Sequence, residues 1–333
     1  MPRFNLKKLF FQGAIILPLA ALATVHAAAQ PRPNEATAMQ LLHRALHYGD
    51  LYNWAAAEIY FQKSEKMFVA EGDQRNALYA RLGDLRSRAE RLNLPETSAK
   101  LARELDANRF LRTDKQLRMF CLIVKGDIDA EMNSGAMRDD WEQVKTLAKE
   151  LGNSQWQYRA LAQLGLAAFY DGNLPVARTD VGTALALATK AHDAGAEIRY
   201  LTLLGIGLVE SKMYNQSLPY FAHALEIARA TPDSGYPFVT QQARLQVLIG
   251  VGQLDAAQHL DTEYLAQAQK YKQPGQEAVA LVFASTLAEA RNQNAAAIST
   301  LKKAVAISKP AGYLRQVAKS KPNSLIYTVS KTN

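Results

Sequence analysis

The sequence predicts an all-α solenoid of about seven helical hairpins, and two observations lead to it. The 333-residue chain is 48% apolar, and its glycines and prolines lie at spaced points rather than inside the apolar runs. Such a composition suits many short helices joined by tight turns. In addition, residues 161–184 and 201–224 align without a gap, at an offset of 40 residues. A chain of this length with an internal period is long enough for one extended repeat array.

The 40-residue offset extends in both directions and gives two ladders of repeat-packing positions. The first ladder is small except at Met137, and consists of Ala57, Thr97, Met137, Ala177, Ser217, Ala257 and Ala297. The second lies four residues later and is apolar except at Asp261, with Phe61, Leu101, Trp141, Val181, Phe221, Asp261 and Leu301. Small residues, together with Gly165 and Gly205, allow two helices to approach closely while large residues fill the groove beside them. Seven units are implied, each burying the apolar face of its neighbour.

The spacing Leu–x2–Leu-Gly–x2–Ala…Gly–x–Leu–x2–Ala–x3–Val–x2–Ala in residues 161–184, and its partner in 201–224, resemble tetratricopeptide repeats. The resemblance covers roughly residues 38–317, strongly in the fourth and fifth units and loosely in the second and third. The period of 40 rather than the usual 34 is similar to the longer-repeat variety of that family. The glycine position holds Leu85, Lys125 and Leu245 in three units, which departs from the family pattern.

The N-terminus has the pattern of a secretory signal peptide at residues 1–29. Arg3, Lys7 and Lys8 precede an uncharged apolar run, which ends at the small residues Ala27–Ala29. The pattern predicts an exported chain, periplasmic or secreted, that begins near Gln30 and has a short linker at 30–37. An uncleaved membrane anchor is the alternative, because the uncharged run is long enough to span. Downstream of Gln30 no apolar run approaches membrane-spanning length, so a soluble mature chain is expected.

A search for chemistry predicts no catalytic, cofactor-binding or metal-binding residue. The sequence has none of the usual hydrolase, metalloprotease or nucleotide-binding motifs and no paired C-x-x-C. His43 and His47 have a spacing that can place two ligands on one metal, but no third ligand is evident nearby. Cys121 is the only cysteine and lies in an apolar run, which favours a buried structural thiol.

The formal net charge of +8 is concentrated at the two ends of the chain. Residues 290–333 contain eight Lys or Arg and no Asp or Glu, whereas the array between the ends is nearly neutral. Residues 318–333 are therefore predicted to form a basic C-terminal tail, which can dock an anionic partner or simply be solvated. Residues 325–329 have strand-like content and can add to a partner's sheet edge or remain a frayed terminus. No nucleic-acid partner is predicted.

The resemblance implies that a ligand lies along the inner face made by the first helix of each unit. On that face the repeat places Arg159 and Arg199 on neighbouring helices, with Met119, Leu122 and Thr202 at equivalent sites. The two guanidinium groups can bind a carboxylate or phosphate. Salt bridges within the array, for example from Arg199 to Glu197 or Asp193, are the alternative. A mainly apolar face suits an extended or helical segment of another protein.

The predicted function is therefore that of an exported, non-enzymatic scaffold or adaptor that binds another protein or a peptide. Two other functions remain open at this stage. The array can be the recognition arm of a hydrolase or protease whose catalytic domain is missing or lies on a partner chain. It can also be a soluble sensor of a small ligand or glycan.

Overall fold

The computed structural model describes residues 36–235 and 237–308, and the predicted all-α helical-repeat solenoid is confirmed there. Fifteen α-helices and one short 3₁₀ helix, Ala89–Arg91, account for most of these residues. The helices are α1 Ala38–Asp50, α2 Trp54–Glu71, α3 Gln74–Ser87, α4 Leu94–Ala107, α5 Arg109–Thr113, α6 Lys115–Glu131, α7 Ala136–Glu150, α8 Ser154–Tyr170, α9 Leu174–Ala191, α10 Ala194–Glu210, α11 Tyr214–Ala230, α12 Phe238–Gly250, α13 Leu254–Lys270, α14 Pro274–Ala290 and α15 Asn294–Ser308.

Successive helices pack side by side, so that the core runs along the array rather than around one centre. The most extensive contacts are between α14 and α15, α8 and α9, α10 and α11, α2 and α3, and α1 and α2. The second unit is looser, because α3 packs on α2 and α6 while α4 packs mainly on α6. The short helix α5 is inserted between α4 and α6.

Polar side chains fix where many of the helices begin. The side chains of Asn53, Asp73, Asp114, Asn153 and Asp193 each accept a hydrogen bond from a backbone N–H in the first turn of the helix that follows. Such caps satisfy amide groups that have no partner within the helix. Asp193, the cap of α10, also takes part in the candidate binding site.

The turns between paired helices share one geometry. The residue two positions after the first helix of a unit has a positive φ at six turns, at Tyr52, Asn133, Gly172, Lys212, Gly252 and Asn292. In each case its amide, and the amide of the next residue, donate to carbonyls of the preceding helix. This is the pattern of a Schellman turn, in which glycine is preferred because a side chain at positive φ is strained. Tyr52 is the only aromatic residue among these six positions.

Glycines allow the close approach of paired helices in the middle of the array. A Cβ added to Gly165 would lie 2.9 Å from Val181 Cγ2, and one added to Gly126 would lie 2.8 Å from Trp141 Nε1. Both distances are shorter than real Cβ contacts, so each glycine is required by its neighbour.

The third unit departs by one residue from the register that the sequence predicts. Its close-packing glycine is Gly126, whereas the 40-residue step points to Lys125. Lys125 is buried instead, and its Nζ lies 2.7 Å from Asp129 Oδ2 and 2.8 Å from Asp140 Oδ2. The assignment of the glycine position to Lys125 in this unit is therefore wrong.

The signal peptide, most of the linker and the basic tail lie outside the described residues, and these assignments remain predictions. Within the described part of the chain, none of the helices combines the length and the apolar character that crossing a membrane requires.

Candidate binding site on the first helices

The predicted arginine pair lies in a cluster that joins four parts of the array. We call it the first-helix cluster, and it consists of Arg86 on α3, Trp156, Arg159 and Gln163 on α8, Arg199 on α10, and the α1–α2 turn, residues 50–53. The turn is more than 100 positions from α8 in sequence, yet its side chains contact both predicted arginines. The 40-residue period correctly predicted that Arg159 and Arg199 lie on neighbouring helices. It did not predict that the α1–α2 turn contacts them.

Arg159 is almost fully buried and is held by two carboxylates. Its Nε and Nη2 donate to Asp193 at 2.8–3.0 Å, and its Nη1 donates to Asp50 Oδ1 at 2.7 Å. Burial disfavours the charged guanidinium, but the two carboxylates outweigh burial and raise the pKa of Arg159. Arg159 therefore stays charged inside the fold.

Asp193 is fixed from several sides. Burial opposes its ionisation, but the charge of Arg159, the Tyr158 hydroxyl at 2.8 Å and the Ala196 amide at 3.1 Å together lower its pKa. The Asp193 side chain is only 9% exposed. Asp50, on the other side of Arg159, is 41% exposed. Of the two carboxylates that bind Arg159, Asp193 is thus buried in the protein, whereas Asp50 is partly exposed to solvent.

Arg199 has a different environment from Arg159. Its guanidinium lies over the Tyr52 ring, 5.3 Å from the centroid, and its Nη2 donates to Gln163 Oε1 at 3.3 Å. Gln163 in turn donates to Asp127 Oδ1 at 2.9 Å. Among residues 36–235 and 237–308, no carboxylate oxygen forms an ion pair with Arg199. The predicted alternative, salt bridges within the array, is confirmed for Arg159, which bridges Asp50 and Asp193. The example of a bridge from Arg199 to Asp193 or Glu197 is wrong, because Asp193 binds Arg159 and Glu197 accepts from Thr189.

Aromatic side chains separate the arginines of the cluster. The Arg86 guanidinium lies 4.9 Å from the Trp54 ring and 5.5 Å from the Trp156 ring, and Arg159 lies 5.2 Å from Trp156. Arg86 also bonds to Asp127 at 2.7 Å. Alternating cations and rings of this kind are attractive when they are shielded from water. The space left between these side chains is only about 10 Å³, room for about one water molecule.

Backbone contacts dock the α1–α2 turn beside the α11–α12 loop. The Gly235 amide donates to Leu51 O at 3.3 Å, and Asn53 Nδ2 donates to Asp233 O at 3.0 Å. His47 Nε2 lies 3.4 Å from Asp233 Oδ2. Asp233 stands 40 residues after the cap residue Asp193, but α12 begins only at Phe238, so Asp233 lies in the loop and contacts the turn.

Two glycines make room for this docking. A Cβ added to Gly195, near the start of α10, would overlap the carbonyl oxygen of Asp50. A Cβ added to Gly235 would lie 2.6 Å from Tyr52 O. In contrast, a Cβ on Gly207, further along α10, would meet no atom within 4 Å. Glycine at 195 and 235 therefore permits an approach that any larger residue would block.

The other predicted partner-binding residues are not available on an open face. Met119 and Leu122 are buried in the apolar core around α6, and Thr202 is buried with its hydroxyl 2.8 Å from that of Thr240. The expectation of an accessible apolar face is wrong at these three positions. The cause is close packing of α6 and α10 against neighbouring helices, which the period alone does not reveal.

The predicted packing residues lie inside the array. The structure buries Gly165, Gly205 and Phe221 together with the small residues Ala57, Ala177, Ser217, Ala257 and Ala297. Asp261 is also buried, at a position where other units have large apolar side chains.

The described residues include no group of three or more His, Cys, Asp or Glu arranged to hold a metal ion. His47 is 54% exposed and lies beside Asp233, and Cys121 is fully buried in α6.

Comparison with known proteins adds information on the fold. No protein-family model matches the sequence, and no curated protein matches it. The structure is similar to that of BtubC (BKLC) from P. vanneervenii, with 14% identity, a TM-score of 0.51 and coverage of 66% of this chain and 92% of that one. It is also similar to a Rap protein complexed with Competence and Sporulation Factor, with 12% identity, a TM-score of 0.61 and coverage of 84% and 76%. At these identities the likeness shows the fold of the chain, a helical-repeat solenoid.

Proposed function

We propose that this protein is an exported, non-enzymatic scaffold of the 40-residue tetratricopeptide variety that binds a segment of another protein. The all-α repeat fold is suited to this role, because stacked hairpins present extended faces rather than one deep pocket. The N-terminal signal pattern supports export.

The observation that carries the proposal is that the first-helix cluster already holds a protein segment. The α1–α2 turn contacts the arginines there through one carboxylate and one aromatic ring, and a backbone hydrogen bond joins it to Gly235 in the neighbouring α11–α12 loop. Each of these is a contact that a partner's chain can make. A surface that accepts a turn of its own chain has the chemistry required to accept a similar segment in trans.

The same geometry favours a protein ligand over a small molecule. A pocket for a small ligand usually encloses about 300–1,000 Å³, whereas the cluster leaves about 10 Å³. A larger space of about 380 Å³ lies between α12 and α13, beside Arg244, His259 and Glu263. Three of its seven lining residues are apolar and none is Phe, Tyr or Trp, whereas pockets for small ligands are lined mainly by hydrophobic and aromatic side chains.

The test is affinity capture with the chain purified from the exported fraction, followed by reconstitution with the purified partner. We expect at least one protein to be retained, to bind the purified chain saturably, and to be displaced by excess soluble chain. Retention that does not saturate, or the absence of any retained protein, would contradict the proposal. A turnover assay of the same preparation with peptide and glycan substrates addresses the enzyme alternative, and no activity is expected.

A further inference from the structure

We propose that the α1–α2 turn is an internal ligand, and that Arg159 and Arg199 form a site for an acidic segment of a partner protein that displaces it. The inference rests on the proposed function and identifies the site and the chemistry of the partner.

The turn has a preformed shape that its own hairpin determines. Tyr52 and Asn53 make the same two backbone hydrogen bonds as the corresponding residues at the α8–α9 and α10–α11 turns. At the position of Tyr52 those turns have Gly172 and Lys212. A tyrosine is strained at positive φ, and the turn geometry itself does not call for an aromatic ring. The ring contacts Arg199, and this contact accounts for an aromatic residue at that position.

The carboxylate of the turn is the replaceable partner of Arg159. Asp193 is enclosed and also caps α10, so its removal would disturb the helix as well as the arginine. Asp50 contacts Arg159 through a single hydrogen bond of 2.7 Å and is 41% exposed. Departure of the turn would free Arg159 Nη1 while Asp193 kept the guanidinium in place. Water or an incoming carboxylate would then occupy the freed position.

The charges of the cluster define the partner. With the turn docked, Arg86, Arg159 and Arg199 face the carboxylates of Asp50, Asp127 and Asp193. Without the turn, the cluster loses one carboxylate, and Arg159 keeps only Asp193. Arg199, which has no ion pair among the described residues and feels the charges of Asp127 and Glu131, loses its aromatic cover. Carboxylates form strong, directional bonds with guanidinium groups. A partner segment with an acidic side chain and an aromatic ring two residues later would reproduce the contacts of Asp50 and Tyr52.

The experiment separates the docked and released states with matched substitutions in two turns. Tyr52→Gly keeps the turn geometry but removes the ring contact with Arg199, and Lys212→Gly at the equivalent position of the α10–α11 turn is the matched control. The probe is a fluorescently labelled peptide with the sequence of residues 47–56, measured by anisotropy. We expect it to bind Tyr52→Gly at least tenfold more tightly than Lys212→Gly or the unmodified chain, because the internal competitor is weakened. Gly195→Ala should not bind the peptide more tightly than the unmodified chain, because its Cβ would also meet the Asp50 carbonyl of the peptide. The same peptide with Asp50→Asn should bind at least tenfold more weakly.

A second measurement uses the unmodified chain, so the result does not depend on a variant that folds. The Gly235 amide donates to Leu51 O in the docked state, and hydrogen exchange at this amide reports release of the turn. Tyr52→Gly should accelerate this exchange severalfold, because glycine keeps the turn geometry but removes the contact with Arg199, whereas Lys212→Gly at the exposed equivalent position should not. In the isotope-labelled unmodified chain, saturating unlabelled peptide should shift the ring resonances of the chain's own Tyr52, because that ring then leaves the Arg199 guanidinium.

Equal peptide affinity of Tyr52→Gly and Lys212→Gly, with unchanged exchange at Gly235 in Tyr52→Gly, would overturn the inference. If both variants then retained the same partner equally in the capture experiment, the proposed function would stand with a different site. If the unmodified chain retained no partner although the peptide bound and displaced the turn, the proposed function would fail while the site remained.

Discussion

The ring of Phe221 on α11 packs directly on the backbone of Gly205 on α10. A Cβ placed on Gly205 would lie 2.5 Å from Phe221 Cε1, so no larger residue fits without movement of one helix. Phe221 is fully buried and fills the groove that Gly205 leaves open. The pair shows how a small residue and a large one set the distance between the two helices of a unit.

We therefore predict that Gly205→Leu and Gly165→Leu each lower the free energy of unfolding by at least ~1–3 kcal/mol, the usual effect of overpacking. Urea denaturation measures the change. Gly207→Leu, two residues along α10, serves as the control, because a Cβ there meets no atom within 4 Å. Similar losses for Gly205→Leu and Gly207→Leu would show that the packing at Gly205 is not as described.

Lys125→Leu should also be strongly destabilising, by roughly 3–5 kcal/mol, because it leaves two buried carboxylates without their cation. Asp129 and Asp140 are 1% and 6% exposed. Burial already raises the pKa of Asp140 to about 6, although Lys125 opposes this. The loss should shrink as the pH falls below 6, where Asp140 binds a proton. Lys145→Leu on the exposed face of α7 is the control, and an equal effect of both changes would exclude this explanation.

Asp261→Leu should stabilise the protein at neutral pH. Burial raises the pKa of Asp261 from 3.8 to about 7. When the carboxyl group is ionised, each rise of one in its pKa on folding lowers the free energy of unfolding by ~1.4 kcal/mol. The pKa of Asp261 is higher in the folded state than in the unfolded state. The free energy of unfolding is therefore highest below pH 4, where the carboxyl group is protonated in both states, and it falls as the pH rises towards 7. Removal of the carboxyl group should raise the free energy of unfolding at pH 8 by roughly 2–4 kcal/mol.

The pH dependence distinguishes this cause from a general gain in packing. The advantage of Asp261→Leu over the unmodified chain should fall steadily from pH 8 to pH 4 as the native carboxyl group binds a proton. Asp255→Asn, in the same helix but fully exposed, should change stability little at any pH. An advantage that is independent of pH would contradict the assignment.

Cys121 should be unreactive in the folded protein. It is fully buried, and burial, assisted by the charge of Glu104, raises the pKa of its thiol to about 12. Since the thiolate is the reactive form, iodoacetamide at pH 8 should modify Cys121 only after unfolding in urea. A cysteine introduced at the exposed Ser154 should react without urea. Rapid native labelling of Cys121 would contradict its placement in the core.

The exported chain should begin near Gln30. The basic start, apolar run and small residues at 27–29 are the features of a cleaved signal peptide. Intact-mass measurement of the exported protein gives the first residue directly. A mass that includes Met1 or Lys8 would show that the segment is retained as an anchor.

Much of the fold followed from the spacing of the second helices. Helices α2, α4, α9, α11, α13 and α15 begin at residues separated by 40 or 80 positions, because their apolar faces stack in a fixed register. The first helices are less regular, because α5 is inserted before α6 and the loop before α12 is extended. The one-residue shift from Lys125 to Gly126 arises in this irregular part of the array. A constant period has no means of predicting it.

The candidate site was predictable only in part. The period placed Arg159 and Arg199 on neighbouring helices, but sequence proximity suggested the wrong arginine for Asp193. As the cap of α10, Asp193 is positioned towards α8, the first helix of the preceding unit, where Arg159 lies. Asp50 is 109 positions from Arg159. Its approach depends on the accumulated rotation of several units, which no local pattern contains.

The docked turn has a consequence for folding cooperativity. In a simple array each unit interacts only with its neighbours, and the terminal unit is the first to fray. Here the first hairpin also contacts α8 and α10, so fraying at the N-terminal end must break contacts in the middle of the chain. The loop that this contact closes is long, and its entropy loss is incurred only once the intervening units are ordered. The turn should therefore dock after the rate-limiting step of folding, and its contacts should slow unfolding more than they speed folding.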